Sequence, residues 1–243
     1  MSALAKCFLE WGILVRGYER QSSAITDALS AAGAFIHFDD DPEELDGHPD
    51  LVIYTPAIPA NSRIRAHFLR LHVSMIKRSE ALEILTHDVD TIAVAGTHGK
   101  TTTSSMISYL LTEIGMPHTA LLGGIAANYQ SNYHSTSLEL MVVEADEYDR
   151  SFHRLYPKWA VVTAMDADHL DVYGTYESML EGYRQFIRQI RPGGVLLDRD
   201  GLKEKIGDRV MEELTVKGVK IRSYEIDHGD YHTEKLRVEK GVW

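Results

Sequence analysis

Residues Thr91-Ile92-Ala93-Val94-Ala95 run directly into Gly96-Thr97-His98-Gly99-Lys100-Thr101-Thr102. An apolar, β-branched run that meets a glycine turn, a lysine and a hydroxyl-rich segment constrains the chain to a strand–loop–helix unit. The turn has the makings of a triphosphate cradle. Glycines let backbone N–H groups face phosphate oxygens, and the following helix adds its positive N-terminal end. Lys100 supplies a mobile charge, and Thr101 offers a hydroxyl to Mg²⁺. The longer pattern G-x-x-x-x-G-K-[ST] requires glycine at position 94, where Val94 stands, but the shorter G-T-x-G-K-T form is met. Lysine and threonine directly after the second glycine serve no purpose in a plain turn. Gly96, Thr97, His98, Gly99, Lys100, Thr101 and Thr102 are therefore the candidate ATP-binding residues.

Around this unit the chain repeats a βαβ rhythm, the pattern of a parallel sheet covered by helices. Residues 1–12 read as a helix, 13–15 as a short strand, 22–32 as a helix that stops at Gly33, and 34–38 as a strand before an acidic loop, 39–44. A strand at 50–55, a helix at 61–71, a strand at 73–76 and a helix at 79–86 follow. The polar stretch His87-Asp88-Val89-Asp90 divides the chain into units at 1–87 and 88–243. In the second unit, strands are expected at 91–95, 138–143, 159–164, 194–197 and 219–223, and helices at 101–114, 175–190 and 201–214. The fold class is thus α/β: a Rossmann-like parallel-sheet domain followed by a P-loop-type α/β ATPase domain. A doubly wound domain opens with a strand and a glycine-rich turn, whereas this chain opens on a helix. The expectation is a first domain lacking its first strand and a second cut at its carboxyl end.

The 243 residues suffice for one large or two ordinary domains, and 44% hydrophobic content is enough for a core. A net charge of −11 argues against nucleic acid as a partner but not against phosphorylated substrates, which loops and Mg²⁺ can hold. Cys7 is the only cysteine, so no internal disulfide forms, in keeping with a cytoplasmic location. No stretch approaches a membrane span. The apolar start is broken by Lys6 and Glu10 and lacks a cleavage site, so it does not read as a signal peptide.

Two further strands end in chemistry. Leu138–Val143 runs into Glu144-Ala145-Asp146-Glu147, and Ala160–Ala164 into Asp166-Ala167-Asp168-His169. In parallel α/β sheets, ligands bind beyond the carboxyl ends of strands. Glu144 is the first choice for a Mg²⁺ ligand, with Asp146, Glu147 and Asp149 supporting it or facing substrate. His169 reads as a metal ligand or a contact to the transferred phosphate, supported by Asp166, Asp168 and Asp171. Lys100, Glu144 and His169 form the expected catalytic set, and Thr101, Glu144 and His169 the metal set. Together they suit phosphoryl transfer from ATP. No protein nucleophile is evident: Cys7 is remote and Ser151 shows no base partner, so the substrate accepts the phosphoryl group.

These motifs, with Met1–Ala5, Tyr54–Ile58, Arg78-Ser79-Glu80 and Asp168–Gly174, resemble the Mur ligases of peptidoglycan synthesis, and run in family order over almost the whole chain. The resemblance is greatest to the branch that joins L-alanine to UDP-N-acetylmuramate. It implies a UDP-binding domain, a central ATPase domain and a third, amino-acid-bearing domain that this chain lacks. The implied partners are UDP-N-acetylmuramate, L-alanine and ATP, joined through an acyl phosphate. Thr55, Pro56, Ala57 and Ile58 would line the uridine end. Glu19 would take an acidic role where the family often has Ser-Asp. Gly123-Gly124 and Asn128 either approach the muramoyl part or form a simple turn. Sister ligases use a carbamylated lysine after the Asp-His element, but no lysine lies between Lys158 and Lys203. A ligase of recycled peptides, a P-loop kinase or regulatory ATPase, and a non-catalytic binding fragment remain as alternatives. Little ligation is expected from this chain by itself.

Overall fold

The computed structural model describes residues 1–45 and 47–234. The N-terminal part runs α1 (Ser2–Glu10), β1 (Arg16–Tyr18), α2 (Ala24–Ala31), β2 (Phe35–His37), β3 (Val52–Tyr54), α3 (Arg63–Arg70), β4 (Met75–Lys77) and α4 (Arg78–Thr86). All pairing here is parallel, but the strands form two separate pairs, β1–β2 and β3–β4, instead of one sheet. Leu45, Ile64 and Phe68 pack with Tyr18, Val52 and Met75, so one apolar cluster draws on strands of both pairs.

The strand expected at 13–15 begins later, at Arg16. Gly12, at φ +74, and Ile13 are taken up in closing α1: Gly12 N donates to Leu9 O (2.9 Å) and Ile13 N to Phe8 O (3.0 Å). That is the left-handed glycine stop of a helix, and it leaves Ile13 and Leu14 exposed. The acidic loop has a definite task. Asp40 accepts from Ser62 Oγ (2.9 Å), Arg63 N (2.9 Å) and Ile64 N (3.0 Å), and so caps α3 from a distance in sequence.

The central part runs β5 (Asp90–Ala95), α5 (Lys100–Glu113), β6 (Thr119–Ala126), β7 (Ser131–Ser135), β8 (Leu140–Glu144), β9 (Trp159–Val162), α6 (Leu170–Tyr173), α7 (Tyr176–Arg188), β10 (Val195–Arg199), α8 (Lys203–Ile206), α9 (Asp208–Val216), β11 (Lys220–Glu225) and β12 (Tyr231–His232). The strands form one sheet in the order β12-β11-β10-β9-β5-β8-β6-β7, with only β6–β7 antiparallel. That hairpin was not foreseen. The single helix expected at 201–214 is two, divided at Gly207, whose φ of +89 no helix accommodates. The segment toward Trp243 lies largely outside the described residues.

β5 sits between β9 and β8, and Ala93, Val94 and Ala95 are fully buried. Small and β-branched residues suit a strand covered on both faces. α5 packs over β6, β8 and β5. On the other face, α7 presents Met179, Tyr183, Phe186 and Ile187, all fully buried. Phe152 stacks on Phe186 (5.3 Å between centroids) and meets Tyr183 edge-on (5.4 Å), so the segment after β8 is anchored in this core.

Candidate active site

The register of the sheet positions the site. Val94 of β5 pairs with Glu144 of β8, and Ala95 with Val162 of β9. The residues that follow, Gly96, Ala145 and Thr163, therefore emerge side by side at the carboxyl ends of three adjacent parallel strands. From β5 the chain crosses to β6 on one side and from β9 to β10 on the other, and an open α/β sheet forms its binding crevice where connections part in this way.

The loop 96–99 is fastened to β9. Thr97 N donates to Ala164 O (3.1 Å), and Asp166 N donates to Thr97 Oγ1 (3.1 Å). Thr163 donates its hydroxyl to Ala95 O (3.2 Å) and also to His98 O. Gly96, at φ +140, is required twice over: a Cβ there would collide with Thr163 Oγ1 and lie 2.9 Å from Ala164 N. Gly99, at φ +80, starts α5 without any side-chain cap, so no capping side chain takes up the N–H groups of the first turn. His98, Gly99 and Thr102 are exposed, whereas Gly96 and Thr97 are buried.

Lys100 Nζ donates to Gly96 O (2.7 Å) and to Glu147 Oε1 (2.7 Å). Glu147 is wholly buried, and its Oε2 finds no hydrogen-bond partner among the described residues. Burial pushes its carboxyl above the ordinary range, against the pull of Lys100. His169 Nε2 stands 3.7 Å from the same Oε1 and 3.7 Å from Asp168 Oδ2. His169 is held at φ +51, and Tyr148 packs edge-on against its ring.

Glu144 accepts from Thr101 Oγ1 (2.8 Å) and from Gly123 N (2.9 Å), both on Oε2. A Cβ at Gly123 would lie 2.6 Å from Glu144 Cδ, so this glycine makes room for the carboxylate. A hydroxyl and a carboxylate side by side form an all-oxygen donor pair, which suits Mg²⁺. That ion keeps waters and substrate phosphates as its other ligands instead of needing a protein cage. Among the described residues, no group of three His, Cys, Asp or Glu side chains is arranged to hold a metal by itself.

Lys100 and His169 thus meet at Glu147, and Thr101 and Glu144 meet each other, all at the carboxyl ends of β5, β8 and β9. Four contributions were not visible in the sequence: the burial of Glu147, the brace from Thr163, the latch through Thr97 and the seat at Gly123. Of the supporting carboxylates, Asp166 turns to Lys205 (3.3 Å), and Asp149 binds Ser151 through its backbone N–H (2.9 Å) and its hydroxyl. Cys7 is fully buried in the core. Glu19 follows β1, and the turn Thr55-Pro56-Ala57-Ile58 follows β3, closed by Ile58 N donating to Thr55 O (3.1 Å). Burial lowers the pKa of the Met1 amine, at the start of α1, to about 6, with the charge of Arg78 lowering it further and that of Glu19 opposing.

The sequence model of the Mur ligase middle domain matches residues 94–242, and that of the Mur ligase family catalytic domain matches residues 1–89. The chain belongs to the Mur ligase family. A UDP-N-acetylmuramate–L-alanine ligase from Phocaeicola vulgatus is 42% identical over 99% of this chain and 52% of its own length. One from Parabacteroides distasonis is 41% identical over the same shares. The chain spans about half the length of these curated Mur ligases. Among solved structures, the L-alanyl-γ-D-glutamyl-meso-diaminopimelate ligase from Neisseria meningitides superposes with a TM-score of 0.81 at 22% identity, covering 94% of this chain and 75% of that one. UDP-N-acetylmuramate–alanine ligase from Thermotoga maritima does so with a TM-score of 0.79 at 24% identity, covering 94% and 50%. At these identities the likeness is one of fold.

Proposed function

We propose that this chain carries the nucleotide-sugar and ATP-handling parts of a ligase that joins L-alanine to UDP-N-acetylmuramate. The meeting of Lys100, the Thr101–Glu144 pair and His169 at the β5–β8–β9 crevice carries this reading. The names of the relatives at 42% and 41% identity direct it to that acceptor pair. A cytoplasmic location goes with this reading, because ATP is held there. No helix among the described residues is long and apolar enough to cross a membrane.

The chemistry has two steps. A muramate carboxylate oxygen attacks the γ-phosphorus of ATP and ADP leaves, giving an acyl phosphate. The amine of L-alanine then attacks the acyl carbon, loses a proton, and inorganic phosphate leaves. The difficulty lies in holding two anions together, which the site offsets with positive charge and fixed geometry. Loop N–H groups and the open end of α5 would face the phosphates, and Lys100 would neutralise charge on the β- and γ-oxygens. Thr101 and Glu144 would hold Mg²⁺, with His169 on the substrate side. That ion would supply charge neutralisation between nucleotide and carboxylate. Glu19 and Thr55–Ile58 would contact the UDP end.

The reading is tested on a protein carrying this chain at the full length of its relatives, by following phosphate release with UDP-N-acetylmuramate and ATP. Release that depends on L-alanine is expected. Release driven by a tripeptide but not by alanine would assign a peptide-recycling ligase, and ATP hydrolysis indifferent to the nucleotide-sugar would leave only an ATPase.

A further inference from the structure

The Lys100 ammonium has three N–H donors, and two of them are used inside the protein, on Gly96 O and Glu147 Oε1, each at 2.7 Å. The lysine side chain keeps 15% of its surface exposed and the glutamate none. The backbone of Glu147 is held in place. Its carbonyl accepts from Tyr173 Oη (2.6 Å) and from Arg150 N (3.0 Å), and the turn that follows is anchored by buried Phe152. Its second oxygen, Oε2, is buried and unpaired, so nothing in the described protein neutralises this carboxylate except Lys100, with His169 at 3.7 Å.

Resting on the reading that the loop binds nucleotide phosphate, we infer that Glu147 is a positioning residue. Its carboxylate is the internal stand-in for phosphate, holding the Lys100 ammonium at the loop until the nucleotide takes that cation over. The physical basis is competition for one cation. A phosphate oxygen at the loop, even one that takes the third N–H, shares the charge of Lys100 with a carboxylate bonded to it in a buried setting, where such bonds are strongest. Glu147 therefore does two things at once. It keeps the lysine folded over the loop, and it weakens the nucleotide's hold by the strength of the interaction shared or surrendered. A carboxylate that merely supported the fold would do the first and not the second.

The test compares the wild-type chain with Glu147→Gln and Glu147→Asp. Each is titrated calorimetrically with a non-hydrolysable ATP analogue and Mg²⁺, and melted with and without it. Glutamine keeps the shape but not the charge, so Lys100 is released more easily. Glu147→Gln is expected to melt lower without nucleotide and yet bind the analogue about tenfold tighter. Glu147→Asp, with its charge drawn back from Lys100, is expected to fall between the two. A lower melting temperature with unchanged or weaker affinity would reduce Glu147 to a structural role and overturn the proposal. Should Glu147→Gln fail to fold by circular dichroism, Glu147→Asp decides: tighter binding than wild type supports the exchange, and equal or weaker binding overturns it. If the wild-type chain binds no analogue at all, the nucleotide reading itself has failed, and the proposal with it.

Discussion

Single side chains at this site are set by what surrounds them more than by their own chemistry. Glu144 and Glu147 lie three residues apart on one strand exit, yet one faces the crevice beside Thr101 and the other is sealed beneath Lys100. The difference comes from neighbours. Gly123, having no side chain, lets its N–H reach Glu144 and leaves space for the carboxylate. Gly123→Ala puts a methyl group where Glu144 sits, and the carboxylate must turn away from Thr101. Orienting partners of this kind typically change metal affinity by about 10- to 100-fold. In Gly123→Ala the gain in ATP-analogue affinity on adding Mg²⁺ is accordingly expected to drop by about tenfold, while affinity in EDTA stays the same. Titrations with and without Mg²⁺ measure this, and an undiminished Mg²⁺ gain would separate Gly123 from the metal.

At the scale of elements, the site depends on a core behind it. Phe152 ties the exit of β8 to α7 through its contacts with Phe186 and Tyr183. Truncation of a fully buried aromatic side chain costs about 3–5 kcal/mol. Phe152→Ala is expected to lose that much in urea unfolding, and the loss should fall to roughly 1 kcal/mol in Phe152→Leu, which refills much of the space. Equal losses in both would mean that aromatic stacking, not volume, holds the turn. Much of the element order was legible because buried parallel strands leave continuous apolar runs, as at Ile92–Ala95 and Ala160–Val162, and helices leave caps and glycine stops. What was illegible had a local cause. The β6–β7 hairpin is hidden because Gly123-Gly124 breaks the apolar run Thr119–Leu122, and Ser131–Ser135 is polar, with only Tyr133 standing out. The strand expected at Ile13 was lost to the closing turn of α1, a matter of hydrogen bonding that apolar content does not record. At the site, Lys100, Thr101 and Glu144 stood out as residue types at strand ends. The backing from Thr163 and the burial of Glu147 arise between elements distant in sequence.

For the whole molecule, the two parts are joined by named contacts. Lys6 and Ser2 of α1 bond Ser131 and Asn132 of β7, Glu10 accepts from Tyr133 Oη (2.8 Å), and Arg154 pairs with Glu80 (3.1 Å) and Glu83 (2.7 Å) of α4. Glu80 also accepts from Lys77 N (2.6 Å), so the exit of β4 is linked through one carboxylate to the turn that follows Glu147. Surface pairs of this kind add little stability singly, and here they tie α1 and α4 to the central part. The whole account depends on the central crevice holding ATP with Mg²⁺ through three strand exits at once. Calorimetric titration of this chain with a non-hydrolysable ATP analogue and Mg²⁺, in wild type and in Lys100→Met, tests that most directly. The account predicts one site per chain in the wild type, weakened by removing Mg²⁺ and abolished in Lys100→Met. Equal binding by both proteins, or binding indifferent to Mg²⁺, would contradict it.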